Sequence, residues 1–150
     1  MGEQLGSEHL GELVTAVDHV GIAVADLDAA IEFHEATFGL AVAHREENED
    51  QGVREAMLAA SDEPGATQLQ LIAPLRDDSA IAKFLDRNGP GLQQLAFRVT
   101  DVDAAEQALR GKGVRLLYEA PRRGTAGSRI NFVHPKDAGG VLVELVEPAH

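Results

Sequence analysis

An internal repeat is the feature that most constrains the fold of this chain, because two similar halves must build similar supersecondary structure. The segment His19–Val24 aligns with Gln94–Val99, and an aspartate-bearing helix start follows each of them. The segment Gln70–Pro74 aligns with Glu144–Pro148. The first pair is offset by 75 residues (19 to 94) and the second by 74 (70 to 144). Two independent matches at nearly one offset predict a duplicated module.

The first strand of the repeat, predicted over Val17–Val24, has two different faces. Alternate residues of a strand point to opposite sides, so residues 20, 22 and 24 form an apolar face. The other face carries His19, Gly21 and Ala23. This pattern predicts a strand that packs on a helix with its apolar side and lines a cavity with its small, polar side.

The remaining elements are predicted in the same order in both halves, as two βαβββ modules. In the first half, Asp26 starts a helix that ends at Phe38, strands cover 40–45, 52–60 and 67–73, and a short helix covers 79–88. In the second half, a strand covers 92–99, a helix 102–111, and strands 114–118, 128–134 and 141–146. We expect a flexible leader at 1–13 and a single domain at 14–150, with modules of about 14–75 and 90–150.

Composition excludes several classes of site and partner. The chain has 150 residues and no cysteine, which removes disulfides, thiolate zinc sites and a cysteine nucleophile. A net charge of −12 opposes nucleic acid binding, and an anionic substrate would need a local basic pocket. The candidates for that pocket are Arg122, Arg123, Arg129 and Lys136. Without a long apolar run or a signal segment, the sequence predicts a cytoplasmic protein.

The anchors of the repeat share one chemical property, since each has a side chain that can bind a metal. They are His19, Gln70, Gln94 and Glu144. Taken singly, a strand histidine is more often a core residue and a strand glutamine more often faces solvent. Glu144, however, lies between Val143 and Leu145, where burying an unpaired carboxylate costs several kcal/mol. As a set the four anchors favour a cation site.

These residues belong to stretches that resemble the vicinal oxygen chelate (glyoxalase-like) superfamily and, within it, the methylmalonyl-CoA epimerases. The stretches are Asp18–Val24, His44–Glu47, Gln51–Glu55, Gly89–Leu92, Gly113–Leu117, Gly127–Pro135 and Gly139–Glu144. The opening Asp-His motif is shared across the superfamily, whereas residues 51–55 and 129–135 are similar to the epimerases in particular. The resemblance implies an α+β fold in which tandem βαβββ modules form curved mixed sheets around a metal site, in a homodimer.

The resemblance also implies that His19, Gln70, Gln94 and Glu144 bind a divalent metal ion. The family commonly carries His-His where this chain has Gln93-Gln94. One nitrogen and three oxygens form a harder ligand set than two imidazoles, which shifts preference from Zn²⁺ or Cu²⁺ toward Co²⁺, Mn²⁺ or Mg²⁺. We expect Co²⁺ to be favoured, with Mn²⁺, Mg²⁺, Ni²⁺ or Zn²⁺ as the other candidates.

The implied reaction interconverts (2R)- and (2S)-methylmalonyl-CoA by removing the C2 proton and returning it on the opposite face. The cation stabilises the enolate, and inversion requires one proton-transfer group on each face. The resemblance implies that Glu55 and Glu144 fill these roles. The position equivalent to Glu55 in the second half falls near Ile130 and carries no carboxylate. The two halves would therefore match at the ligand positions but differ at the position of the base.

Four further residues are candidates for substrate binding. Ser128, Arg129 and Asn131 could bind the acyl carboxylate, and Lys136 the CoA phosphates. His44 and the acidic residues 46–50 are predicted to lie in a solvated connection.

Other activities on the same scaffold remain open from the sequence. A glyoxalase-type lyase is one alternative, and a non-enzymatic, resistance-type binding protein is another. An extradiol dioxygenase requires two histidines and one carboxylate for Fe(II), and Gln94 breaks that pattern.

Overall fold

The computed structural model describes residues 13–150, which divide into two compact units. The N-terminal unit is His19–Gln94, and the C-terminal unit consists of residues 13–18 and Leu95–His150. Strands β1 (Val14–Ala23) and β5 (Gly91–Val99) each contribute residues to both units. The predicted leader lies outside the described residues except for Leu13, which packs against the core of the C-terminal unit.

The N-terminal unit follows the predicted βαβββ order. After β1 come α1 (Leu27–Phe38), β2 (Ala41–Asn48), β3 (Val53–Ala59), β4 (Gln68–Pro74) and α2 (Ala80–Asn88). Its strands are ordered β2-β3-β4-β1, with β1 parallel to β4 and the other pairs antiparallel. Asp26 caps α1 by accepting a hydrogen bond from the Ala29 N–H at 3.1 Å, and Gly39 ends it in the left-handed conformation. The predicted start and stop of this helix are confirmed.

The two faces of this sheet carry different side chains. Leu58 and Leu71 pack with Ile31 of α1 in one buried cluster, which Ile22 and Val24 of β1 also join. On the opposite face Ala23, Val53 and Ile72 pack with Ile81 of α2. The predicted apolar face of β1 therefore packs on a helix, which leaves the other face for the polar residues described below.

The C-terminal unit repeats the pattern with shorter strands. After β5 come α3 (Val102–Gly111), β6 (Arg122–Arg123), β7 (Arg129–Val133) and β8 (Val143–Glu147). The strands are ordered β5-β8-β7-β6, with β5 parallel to β8 and the other pairs antiparallel. Val99, Val102 and Leu145 form the centre of the core that α3 covers.

Strand register confirms the repeat at the level of single residues. In the parallel pair β1–β4, Gly21 lies opposite Gln70. In the parallel pair β5–β8, Ala96 lies opposite Glu144. These are the pairs that the sequence offsets relate, so Gln70 and Glu144 occupy equivalent positions in their respective units.

Two predicted boundaries are wrong. The strand predicted at 114–118 is reduced to a single bridge between Leu116 and Val133, and the N–H of Tyr118 donates to the side chain of Asn131 instead of to the backbone of β7. Strand β2 extends to Asn48, so residues 46–48 are strand and not loop. Within residues 13–150, every helix is too short or too polar to cross a lipid bilayer.

Candidate active site

Three of the four predicted metal ligands meet in the N-terminal unit. The Nε2 atom of Gln94 donates to Oε1 of Gln70 at 3.2 Å and lies 3.5 Å from Nε2 of His19. His19 and Gln70 are only 3% and 5% exposed. Strands β1, β4 and β5 thus hold one imidazole and two amides next to one another.

Gly21 makes room for this cluster. A Cβ atom at this position would lie 2.6 Å from Cγ of Gln94 and 3.0 Å from Oε1 of Gln70. Both distances are shorter than ordinary van der Waals contact, so a larger residue would displace the two amides. The glycine is therefore part of the site, because it leaves the space that both glutamine side chains fill.

Glu55 lies beside the cluster and is almost completely buried, with 2% of its surface exposed. Its Oε1 atom accepts a hydrogen bond from Nε2 of Gln70. Gln70 therefore has two roles: its oxygen lies in the ligand cluster, and its N–H group fixes the orientation of the Glu55 carboxylate. A buried carboxylate held next to candidate metal ligands is the arrangement that a general base requires.

Glu144 lies on β8 of the C-terminal unit and is 6% exposed. It is opposite Phe132 of β7 and Ala96 of β5. Both neighbours belong to the buried apolar cluster on the face of this sheet away from α3. The carboxylate is thus buried among apolar residues, as its sequence context indicated; its roles as a fourth ligand and as a second base stay predictions.

Two of the predicted substrate-binding residues, Arg129 and Asn131, lie on one face of the C-terminal unit. Arg129 donates to Asp103 of α3 at 2.9 Å and contacts Glu147 at 3.4 Å. Asn131 is fully buried and donates to Glu106 of α3 at 2.6 Å. Their side chains therefore lie on the face that α3 covers, away from Glu144.

The expectation that Arg129 and Asn131 bind the acyl carboxylate stays a prediction, and both side chains are engaged in contacts within the C-terminal unit. The amide oxygen of Asn131 also accepts from the backbone N–H groups of Tyr118 and Phe132, at 3.2 and 2.7 Å. Its polar atoms are used inside the unit, and Arg129 is held by two carboxylates. Along β7, the odd-numbered residues Arg129 and Asn131 lie on the face that α3 covers.

Ser128 and Lys136 are compatible with their predicted roles. Ser128 is 5% exposed and directly precedes β7, where it ends a tight turn: its backbone oxygen accepts from the Gly124 N–H at 2.9 Å. Lys136 lies exposed in a 3₁₀ turn at Pro135–Asp137. Of the predicted basic group, Arg122 stacks over the ring of Tyr118 at 3.9 Å.

The sequence reasoning missed His44 and Glu46, which it placed in a solvated connection. A bulge between Val42 and His44 reverses the side-chain alternation of β2. Val42 packs in the cluster that faces α1, whereas Glu46 lies directly opposite Glu55. Nε2 of His44 lies 2.6 Å from Oε1 of Glu46. In the sequence, Glu46 and Glu55 stand on either side of one turn, and this spacing could have indicated a cross-strand pair. The many turn-forming residues at 46–51 made the segment look like a loop instead.

The donor set fits a hard divalent cation only if the amides take part. Among residues 13–150, no group of three His, Asp or Glu side chains could hold a metal by itself. The imidazole of His19 and the amides of Gln70 and Gln94 lie together next to Gly21. Amide oxygens are suitable ligands for hard cations. The residues present thus fit a cation bound through His19, Gln70 and Gln94.

Comparison with known proteins gives consistent relatives. Residues 18–132 match the Glyoxalase/Bleomycin resistance protein/Dioxygenase superfamily. The crystal structure of a methylmalonyl-CoA epimerase from Mycobacterium tuberculosis is similar, with 63% identity and a TM-score of 0.89, over 93% of this chain and 91% of that chain. A methylmalonyl-CoA epimerase in complex with methylmalonyl-CoA and NH4+ has 55% identity and a TM-score of 0.86, over 91% and 96%. The ethylmalonyl-CoA/methylmalonyl-CoA epimerase of Cereibacter sphaeroides is 35% identical over 135 residues, which cover 89% of this chain and 98% of that protein.

Proposed function

The chain belongs to the Glyoxalase/Bleomycin resistance protein/Dioxygenase superfamily, and on that premise we propose that it is an epimerase that interconverts (2R)- and (2S)-methylmalonyl-CoA. The observation that carries this proposal is the buried Glu55 carboxylate, which Gln70 holds beside His19 and Gln94. The similarity to epimerases over nearly the whole chain supports the substrate.

Glu55 acts as the base that removes the C2 proton. This hydrogen is a weak carbon acid, because only the adjacent thioester and carboxylate groups stabilise the resulting enolate. The hydrogen bond from Gln70 fixes the orientation of the Glu55 carboxylate, which accepts the proton. Burial excludes the water that would otherwise compete for the carboxylate.

His19, Gln70 and Gln94 are the residues that would hold a divalent cation, with Glu144 as the fourth ligand by its equivalence to Gln70 in the repeat. When bound, the cation supplies Lewis-acid stabilisation of the negative charge that develops on the substrate oxygens. The single imidazole and the amide oxygens favour Co²⁺, with Mn²⁺, Mg²⁺, Ni²⁺ and Zn²⁺ as alternatives.

The remaining groups complete the reaction. Glu144 returns the proton on the opposite face, which inversion at C2 requires. Ser128 donates a hydrogen bond to the acyl carboxylate, and the exposed Lys136 pairs with the CoA phosphates. We further propose that the enzyme is a cytoplasmic homodimer.

Replacing Glu55 by glutamine tests the proposal. The Glu55→Gln variant keeps the size of the side chain and an oxygen for the Gln70 N–H, but it cannot take a proton. We expect epimerisation to fall by about 10²–10⁴-fold, the usual contribution of a general base, with metal content unchanged.

Glu47→Gln is the matched control. Glu47 carries the same charge on the neighbouring strand but is exposed, so we expect its removal to leave the rate within a factor of two or so. Coupled spectrophotometric assay of both variants gives the comparison. A Glu55→Gln enzyme as active as the Glu47→Gln enzyme would remove Glu55 from the mechanism.

A further inference from the structure

We propose that Glu46 and His44 form a proton relay that connects Glu55 with solvent. The inference rests on the proposed function, since it concerns the fate of the proton that Glu55 removes from C2. It assigns a role to two residues that take no part in the chemistry described above.

Glu55 needs such a path because it is shielded from water. With 2% exposure, its carboxylate cannot pass a proton directly to solvent. On the β4 side its cross-strand neighbour is the apolar Ile72, and the other β4 contact is the amide of Gln70, which is not an acid at neutral pH. On the β2 side its neighbour is Glu46. Of these neighbours, Glu46 is the one that can accept a proton.

Strand register places Glu46 and Glu55 on the same face. The two residues are directly opposite each other in the antiparallel pair β2–β3. Side chains of such pairs point to the same side, with Cβ atoms about 4.5–5.5 Å apart. The bulge between Val42 and His44 is what turns Glu46 toward this face.

Exposure increases stepwise from the proposed base to the surface. Glu55 is 2% exposed, and the side chains of Glu46 and His44 are 13% and 38% exposed. Nε2 of His44 lies 2.6 Å from Oε1 of Glu46, a distance suited to proton transfer. An imidazole can take up a proton at one ring nitrogen and release one from the other, so the partly exposed His44 is a suitable final group at the surface.

The relay transfers one proton and leaves every group as it began. Protonated Glu55 gives its proton to the carboxylate of Glu46, which restores the Glu55 carboxylate. Glu46 then gives the proton to Nε2 of neutral His44, and the imidazolium releases one proton to water. The O–H and N–H bonds formed in each step are broken in the next, and no co-reactant other than water is required.

Isotope partitioning in the metal-loaded, full-length enzyme tests the relay. The substrate is the epimer whose C2 position Glu55 deprotonates and carries deuterium there, and the solvent is H2O. Mass spectrometry compares the deuterium that Glu55 returns to the substrate with the deuterium lost to water. In the unaltered enzyme we expect rapid loss. In Glu46→Gln the deuteron stays on Glu55 for longer, so the ratio of retained to lost deuterium should rise about tenfold, with KM unchanged.

A second variant separates a relay from a structural role. His44→Ala should also raise retention, and because His44 is partly exposed, added imidazole should restore the loss of deuterium in this variant but not in Glu46→Gln. Glu47→Gln, which removes an exposed charge next to Glu46, serves as the control with unaltered partitioning.

The possible results distinguish the two proposals. Retention that is the same in Glu46→Gln, His44→Ala and the unaltered enzyme refutes the relay and leaves the proposed function intact. An unaltered, metal-loaded enzyme that neither epimerises nor exchanges the C2 deuterium refutes the proposed function, and the relay with it.

Discussion

Substitution of Gly21 by alanine tests the geometry of the ligand cluster. The new Cβ atom would lie 2.6 Å from Cγ of Gln94 and 3.1 Å from Cδ1 of Ile72. The first contact is about 1 Å closer than the optimal separation of two carbon atoms, roughly 3.5–4.0 Å. The atom that must move is in a side chain, so we expect Gln94 to swing away while the backbone stays in place.

The expected cost has two parts. Overpacking of this kind destabilises a core by about 1–3 kcal/mol, which for a chain of this size lowers Tm by about 2–12 °C. Displacement of the amides of Gln94 and Gln70 should weaken metal binding by about 10–100-fold, as for other changes that misalign metal ligands. At a temperature where the variant is folded, its metal affinity should therefore still be lower than that of the unaltered protein, which a loss of stability alone cannot explain.

Isothermal titration with Co²⁺ and thermal unfolding of the metal-free protein measure the two effects separately. Gly111→Ala is the matched control, because a Cβ atom there meets nothing within 4 Å. It should leave metal affinity unchanged and raise stability by up to about 1 kcal/mol, as expected for a helical position. Unchanged Co²⁺ affinity in Gly21→Ala would refute the assignment of Gln70 and Gln94 to one cation site.

Two further predictions concern stability. Asn131→Ala should lower the free energy of unfolding by about 3 kcal/mol in urea titrations, because it leaves the buried Glu106 carboxylate without its amide partner; the exposed Asn88→Ala serves as the control, and equal midpoints for the two variants would contradict the reasoning. The Arg115 guanidinium holds the pKa of Asp137 well below its ordinary value of 3.8, so the Asp137 carboxylate contributes stability above that pH. The deficit in Tm of Asp137→Asn should be full at pH 7 and shrink as the pH falls below 3.8, whereas a constant deficit would contradict the linkage.

The sequence predicted the repeat because matching segments at nearly one offset leave a signal in the sequence itself. Two segments at nearly one offset identified equivalent positions, and the register of Gly21 with Gln70 and of Ala96 with Glu144 confirms them. The start of helix α1 and its end near Phe38 were predicted, since Asp26 and Gly39 have specific roles at helix ends.

What the sequence did not predict depends on contacts between distant residues. The bulge that turns Glu46 toward Glu55 leaves no pattern in the acidic segment that contains it. Likewise, Asn131 is a candidate for substrate binding in the sequence, and only the position of Glu106 on α3 shows that its amide donates a hydrogen bond inside the unit. A polar residue in a matched motif can therefore be assigned to a site only when it is known which face of its strand the residue lies on.

The central claim is that a cation held by His19, Gln70 and Gln94 assists removal of the C2 proton. Incubation of the enzyme with methylmalonyl-CoA in D2O, with added Co²⁺ or with a chelator, tests it most directly. We expect rapid incorporation of one deuteron at C2 with Co²⁺, and at least a hundredfold slower incorporation after chelation, in line with the several kcal/mol that Lewis-acid stabilisation contributes. Equal incorporation with Co²⁺ and with the chelator would contradict the claim.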